Sequence, residues 1–397
     1  MTLNDLLREA TLLLLVLVPC VVIAERLRLG RTLALLAAGV LVGPSGLDLV
    51  QHAGSIDALP ILGLVLVMFM VGLDLNPRLL GSQWLRLTGF ALVLTVACSA
   101  VLSVLCLPLV THWEGALVTG VTLSMSSAAL GIGLLKERSE TATTVGRTAL
   151  AVFVVQCVAV FPVIMLIPTL NPHATEGVAP GITADSLAIA VGALIGIVVV
   201  ARVAVGPVIR AVARCNSPIA NGAIVGLVVL APCAVADSAG LPAPLGAYLV
   251  GLAVAASPEK TRVQTFVQPF QSLLLTLFFV GVGMSINLRE AAPYWGVIVL
   301  VAIGVVVLKT IVIYAVARAT GWAHAPSARL GLLLAQSGEC GFSVAAVALA
   351  VGWGSVARSG SVILVIALTL AVTPILYRFI PPQSSERPES RPGVPAQ

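Results

Sequence analysis

Apolar residues in this chain come in long continuous runs, separated by short polar stretches carrying most of the charge. The runs are about 18–25 residues long, the length of helix that crosses a hydrocarbon core of ~30 Å. They divide the chain into thirteen predicted spans, at 6–24, 32–47, 57–74, 86–110, 115–135, 146–170, 184–206, 218–236, 243–257, 268–286, 293–318, 326–351 and 359–380. A membrane β-barrel would alternate apolar and polar residues instead. The pattern therefore predicts an all-α polytopic membrane protein. The spans 32–47 and 243–257 are short and are expected to tilt little or to be shielded by their neighbours.

The polar stretches between the runs set an orientation. With the N-terminus outside, eighteen Lys and Arg residues fall on the cytoplasmic side and only Arg8, Arg289 and Arg358 outside, with Lys309 left within a span. Positive charge accumulates on cytoplasmic loops, so the N-terminus is expected outside and the C-terminus in the cytoplasm. Beyond Ile380 the sequence PPQSSERPESRPGVPAQ, residues 381–397, is too poor in apolar residues to fold and is expected to be a disordered cytoplasmic tail. Residues 1–380 then form one transmembrane domain.

Composition sharpens this picture. Charged residues make up 10% of the chain and hydrophobic ones 59%, against roughly 25% charged in soluble domains. The net charge of +5 is distributed through short loops, and aromatic residues form no stacking array, so nucleic-acid binding is excluded. Cys20, Cys98, Cys106, Cys157, Cys233 and Cys340 fall in apolar spans and Cys215 in an inside loop. They read as small core residues, and no disulfide is expected. The first ten residues contain Asp5, Arg8 and Glu9, unlike the basic start of a cleaved signal.

Charges at membrane depth cost about 2.5–3.5 kcal/mol each on insertion scales, so each is a candidate for chemistry. Lys309, mid-span in VVVLKTIVIY, reads first as an ion-pairing or proton-carrying lysine facing a cavity, and second as a structural lysine bonded to helix-end carbonyls. Glu339 sits in LLLAQSGECGF beside Gln336 and Ser337. It reads as part of an ion path or helix break, or as a buried acid satisfied by hydroxyls and amides. Asp237, near the outside end of its span, is either a vestibule carboxylate or a solvated helix end, and Asp74 is expected to cap a helix on the cytoplasmic side. Ser124, Ser126 and Ser127 with Gly131 and Gly133 suit an interrupted helix, and the Gln336–Gly341 stretch is its natural counterpart. Transporters place such pairs at the midplane of inverted repeats; the same serines also serve plain helix packing. His52, His112, His173 and His324 are unpaired in loops, and the carboxylates are scattered, which argues against a metal enzyme. No nucleotide fingerprint or Cys–His nucleophile is present, so neither a cofactor nor enzymatic activity is expected.

Several segments together resemble the membrane domain of Kef-type monovalent cation:proton antiporters, a sodium/hydrogen exchanger-like family. They are LALLAAGVLVGPSGL (33–47), LVLVMFMVGLDLNPRLL (64–80), LSMSSAALGIGLLKERSETATTVGRTALAVFVVQC (123–157), PFQSLLLTLFFVGVGMSINL (269–288), Lys309 and LLLAQSGECGFSVA (332–345). The resemblance implies about thirteen helices in inverted repeats with two crossing discontinuous helices. It also implies core and dimerisation helices, alternating access, a homodimer, and location in the cell inner (plasma) membrane. The cytoplasmic nucleotide-binding domain that Kef-type proteins usually carry has no counterpart in this sequence.

Two positions depart from the family, the first more seriously. Where the pattern has Gln-Asp or Asn-Asp, this chain has Gln156-Cys157, with Pro162 and Pro168 at the family's spacing. The Ser-Ser-Thr of the family likewise reads Ser126-Ser127-Ala128. A carboxyl ionises near pH 4, but a thiol only near 8.5, and thiolate suits soft metals better than Na⁺ or K⁺. Lys309 also loses its expected counter-ion. Three functions stay open on the sequence. The first is exchange of a monovalent cation, K⁺ or Na⁺, for protons through Gln156, Cys157, Ser126, Ser127 and Gln336, with Glu339 or Asp237 and Lys309 carrying protons. The second is a transport-impaired relative or cysteine variant retaining the fold. The third is movement of another solute, such as a soft metal or an anion, through the same cavity.

Overall fold

The computed structural model describes residues 3–26, 31–47, 49, 58–75, 83–110, 112–170, 184–214, 217–284, 286, 288–350 and 356–381. The expected tail, the outside loop around 171–183, and Cys215, His52 and His173 lie outside the described residues. The described chain is all-helical, as its continuous apolar runs predict. In order the helices are α1 (Leu3–Arg26), α2 (Arg31–Val42), α3 (Ala58–Asp74), α4 (Trp84–Cys106), α5 (Trp113–Ser124), α6 (Ala128–Glu137), α7 (Thr144–Leu170), α8 (Ala184–Val200), α9 (Gly206–Ala213), α10 (Pro218–Ser238), α11 (Ala243–Ala255), α12 (Lys260–Met284), α13 (Leu288–Ala291), α14 (Trp295–Ala319), α15 (His324–Leu333), α16 (Glu339–Ala350) and α17 (Val356–Arg378).

Among the described residues, seven helices are long and apolar enough to cross a membrane, or eight if the two limbs of α12 count as one span. Other predicted spans fall on shorter apolar helices, such as Leu33–Val42, Leu62–Asp74 and Ala243–Ala255. Two predicted spans are interrupted. Met125–Ser127 separates α5 from α6, and Leu334–Gly338 separates α15 from α16. Both breaks fall on the serine-, glycine- and glutamine-bearing stretches, where side chains can partner the freed backbone groups.

The helices sort into two packed groups. In one, α1 packs on α2, α2 on α12, and α3 on both α11 and α12, with α8 and α10 against α11. Small residues allow the closest contacts here. A Cβ on Gly72 of α3 would lie 2.3 Å from the Tyr248 carbonyl oxygen of α11, and one on Gly251 would lie 2.2 Å from that of Phe69. The other group joins α4 to α5, α7 and α14, and packs α15, α16 and α17 around them. Contacts between the groups are sparser, chiefly α2 with α17, α3 with α6, and α7 with α11.

Several charges that orient the chain also hold helix ends together. Asp74 does more than end α3: it pairs with Lys136 of α6 at 2.8 Å. Glu140, fully buried after α6, receives Arg329 Nη1 at 3.2 Å and the Tyr377 hydroxyl at 2.9 Å. Arg138 donates to the carbonyls of Tyr377 and Ile380 at 2.7 and 2.8 Å, with its guanidinium 4.5 Å from the centre of the Tyr377 ring. Arg329 also bonds the Pro381 carbonyl. This network ties α15 and the end of α17 to the turn after α6. Breaking a buried pair by removing one partner costs about 3–5 kcal/mol. Arg329→Leu is therefore expected to lower the thermal midpoint of the detergent-solubilised protein clearly, whereas Arg147→Leu, on an exposed side chain, is expected to leave it nearly unchanged.

Candidate functional site

The two helix interruptions meet. Gly338 packs so closely on the other break that a Cβ there would lie 2.4 Å from the backbone nitrogen and Cα of Ser127. Four half-helix ends, those of α5, α6, α15 and α16, converge around this contact. A helix end leaves backbone groups without intrahelical partners, N–H at the N-terminus and C=O at the C-terminus. Its macrodipole adds partial positive charge at the first end and negative charge at the second. In a dry interior both must be met by side chains.

Glu339 meets the N-terminal ends. It opens α16, and its Oε1 accepts from the backbone N–H of Ala128 at 3.0 Å and Ala129 at 3.1 Å, the first residues of α6. The Ser127 hydroxyl donates to Oε2 at 2.6 Å while accepting from Leu130 N–H at 3.1 Å, so Ser127 also caps α6. One carboxylate thus sits at two helix N-termini, accepting charge-assisted bonds. This is the buried acid satisfied by hydroxyls and amides, and it sits at the helix break.

Lys309 meets the C-terminal ends. It is 1% exposed, and its Nζ donates to the carbonyls of Gln336 at 2.7 Å and Leu123 at 3.4 Å and to Ser126 Oγ at 3.1 Å. Leu123 lies in the last turn of α5, and Gln336 follows the end of α15. The geometry matches the second reading of Lys309, a lysine bonded to helix-end carbonyls. Its recorded partners are two carbonyls and a hydroxyl, with no carboxylate among them.

Uncharged side chains complete the crossing. Ser126 Oγ donates to the Leu334 carbonyl at 2.9 Å, and Ser337 Oγ to that of Leu123 at 2.6 Å. Gln156 of α7 accepts from Ser126 N–H at 2.7 Å and donates to the Ser124 carbonyl at 3.4 Å. Gln336 Nε2 reaches the Ser127 carbonyl at 3.4 Å, while its buried Oε1 has no partner among the described residues. Thr369 of α17 accepts from Ser337 N–H at 3.0 Å, a partner that the sequence reading did not single out.

Cys157 follows Gln156 on α7, and its sulfur lies 3.6 Å from that of Cys340, the residue after Glu339. Both thiols are buried. They line a cavity of ≈ 30 Å³ with Met68 of α3, Leu245 and Tyr248 of α11, and Ser343 of α16. The cavity therefore lies between the two helix groups, next to the crossing. Sequence reading placed Cys340 only as a core residue; its place beside Cys157 depends on how α7 and α16 pack. Asp237 lies elsewhere. It is exposed near the end of α10, and the network at the crossing does not include it.

Comparisons with known proteins agree with this architecture. The family model described as "Sodium/hydrogen exchanger, transmembrane" matches residues 12–380. The glutathione-regulated potassium-efflux system protein KefC of Shigella sonnei is 33% identical over 354 residues, which are 89% of this chain and 57% of that protein. KefC of Escherichia coli strain K12 is 32% identical over 354 residues, with the same two shares. The chain thus spans a little over half the length of these relatives. The solved structure of the sodium proton antiporter MjNhaP1 from Methanocaldococcus jannaschii at pH 8 superposes with a TM-score of 0.65 at 16% identity, covering 94% of this chain and 96% of that one. At that identity the likeness shows the fold alone.

Removing either charge exposes two helix ends at once. A buried group left without its partner costs about 1–3 kcal/mol; Lys309→Met removes the 2.7 Å donor of the Gln336 carbonyl and leaves the Leu123 carbonyl with Ser337 alone. Its thermal midpoint is expected to fall more than that of Lys309→Arg, which keeps a donor, in parallel melts followed by size-exclusion chromatography. Gly338→Ala is expected to be at least as damaging, because the backbone of the opposite break occupies the space of the new methyl.

Proposed function

The chain belongs to the sodium/hydrogen exchanger family, and from that premise we propose that it exchanges a monovalent cation, K⁺ or Na⁺, for protons by alternating access. The observation that carries this reading is the crossing itself. Two interrupted helices meet with their ends compensated by Glu339 and Lys309, beside a cavity at the boundary of two helix groups. Such a crossing concentrates polar backbone at one place in an otherwise apolar interior. Sparse contacts between the groups suit a relative movement that opens the cavity to either side in turn. In this reading α4–α7 and α14–α17 form the moving core, and the remaining helices form a scaffold through which two chains associate as a homodimer.

The orientation proposed from the charge asymmetry puts the C-terminus in the cytoplasm, within a bacterial inner membrane. Among cations, K⁺ is the first to test, because the relatives near 33% identity are described as potassium-efflux proteins. In this chain the proton-binding carboxylate of the resemblance is a thiol, Cys157. That supports a second reading, a fold-retaining protein with impaired transport.

Reconstitution into vesicles with an imposed pH gradient separates the two. Exchange predicts that added K⁺ or Na⁺ dissipates the gradient, and that Cys157→Asp, which restores a group ionising near pH 4, raises the rate about tenfold or more. No response to K⁺, Na⁺ or Li⁺ in the parent protein, with a response gained by Cys157→Asp, would establish the impaired form instead.

A further inference from the structure

The Cys157–Cys340 pair has chemistry of its own. The thiols come from different helices, α7 and α16, and their sulfurs lie 3.6 Å apart on the wall of a shared cavity. A third sulfur-bearing residue, Met68, lines that cavity from the opposite helix group. The fully buried Tyr248 lines it too; among the described residues its hydroxyl has no hydrogen-bond partner.

We propose that Cys157 and Cys340, with Met68 beside them, form a binding site for one soft monovalent cation, of which Ag⁺ and Cu⁺ are the chemical type. The inference rests on the functional reading above only in taking this cavity as the cation's place, and it requires no transport. Three arguments carry it. Thiolate and thioether donors select soft cations over alkali cations, which prefer oxygen. The cavity, at ≈ 30 Å³, exceeds the roughly 10–15 Å³ needed to hold one water, so it has room for a single ion beside the sulfurs. Finally, the two sulfurs already lie 3.6 Å apart on residues lining one cavity, so a single ion can engage both.

Binding balances as follows. One S–H bond breaks, its proton leaves to solvent, and the electron pair left on that sulfur forms the bond to the cation. The second sulfur donates a lone pair and keeps its proton. The site's charge is unchanged, since one cation replaces one proton.

The test titrates the full chain with Ag⁺ in reduced, oxygen-free detergent solution and counts the tightly held ions that survive desalting. Cys157→Ser, Cys340→Ser and the double variant are titrated alongside, with size-exclusion profiles checking the fold. A shared site predicts that each single variant loses the same one ion, and that the double variant also loses only one. A thousandfold excess of K⁺ is expected to leave that ion in place. Loss of two ions in the double variant would mean independent thiols, and loss of none, or displacement by K⁺, would mean no soft site; each overturns the proposal. Should the serine variants fail to fold, X-ray absorption on the native chain loaded with one Ag⁺ decides: a sulfur-only first shell containing at least two donors supports the site, and a single sulfur or an oxygen-rich shell overturns it. Exchange of K⁺ for protons in vesicles is a separate measurement, so failure of the exchange reading and failure of this site are told apart.

Discussion

Four helix ends buried at one point constrain the rest of this structure. Each interruption frees backbone N–H and C=O groups at membrane depth, where no water is at hand to satisfy them. The two breaks therefore cross, and one anion and one cation serve them together. Glu339 holds the N-terminal ends of α6 and α16, and Lys309 holds the carbonyls at the ends of α5 and α15. The two charges act at separate ends of the crossing, each matched to a helix dipole. Their cost in the membrane is offset where they sit, which explains how a chain so poor in charge keeps these two at the crossing.

The surrounding helices follow from that point. Gln156 on α7 and Thr369 on α17 supply the remaining donors and acceptors for the breaks, which fixes those helices against the crossing. Helices without such ties, such as α3 and α11, pack on each other through glycines. The boundary between a polar-tied group and a glycine-packed one is where the cavity opens and where Cys157 and Cys340 meet. Cys157, where the sequence departs from the resemblance's Gln-Asp pattern, thus lies at the seam between the two groups.

Much of this was legible beforehand because it depends on local composition. The breaks fall on SMSS and AQSG, where hydroxyl and glycine residues interrupt apolar runs, and Lys309 and Glu339 stand out as charges inside spans. Other features depend on which helix packs against which. The resemblance pointed to Cys157, but Cys340 carried no signal beyond an apolar neighbourhood. Arg138 and Arg329 counted as orientation charges, yet they bind carbonyls, a ring and the buried Glu140. Asp237 looked like Glu339 in kind, an acid near an apolar run, and only its exposure separates the two.

By itself, then, the sequence determined the membrane class, the helical spans and the places where two helices break, because run length and the burial cost of polar groups are properties of short segments. The tertiary structure decided what the breaks are for. It set which end each charge serves, gave Lys309 two helix-end carbonyls as partners, and brought two thiols 183 residues apart to one cavity wall. Those outcomes depend on the crossing of α5–α6 with α15–α16, a long-range contact that no local pattern encodes.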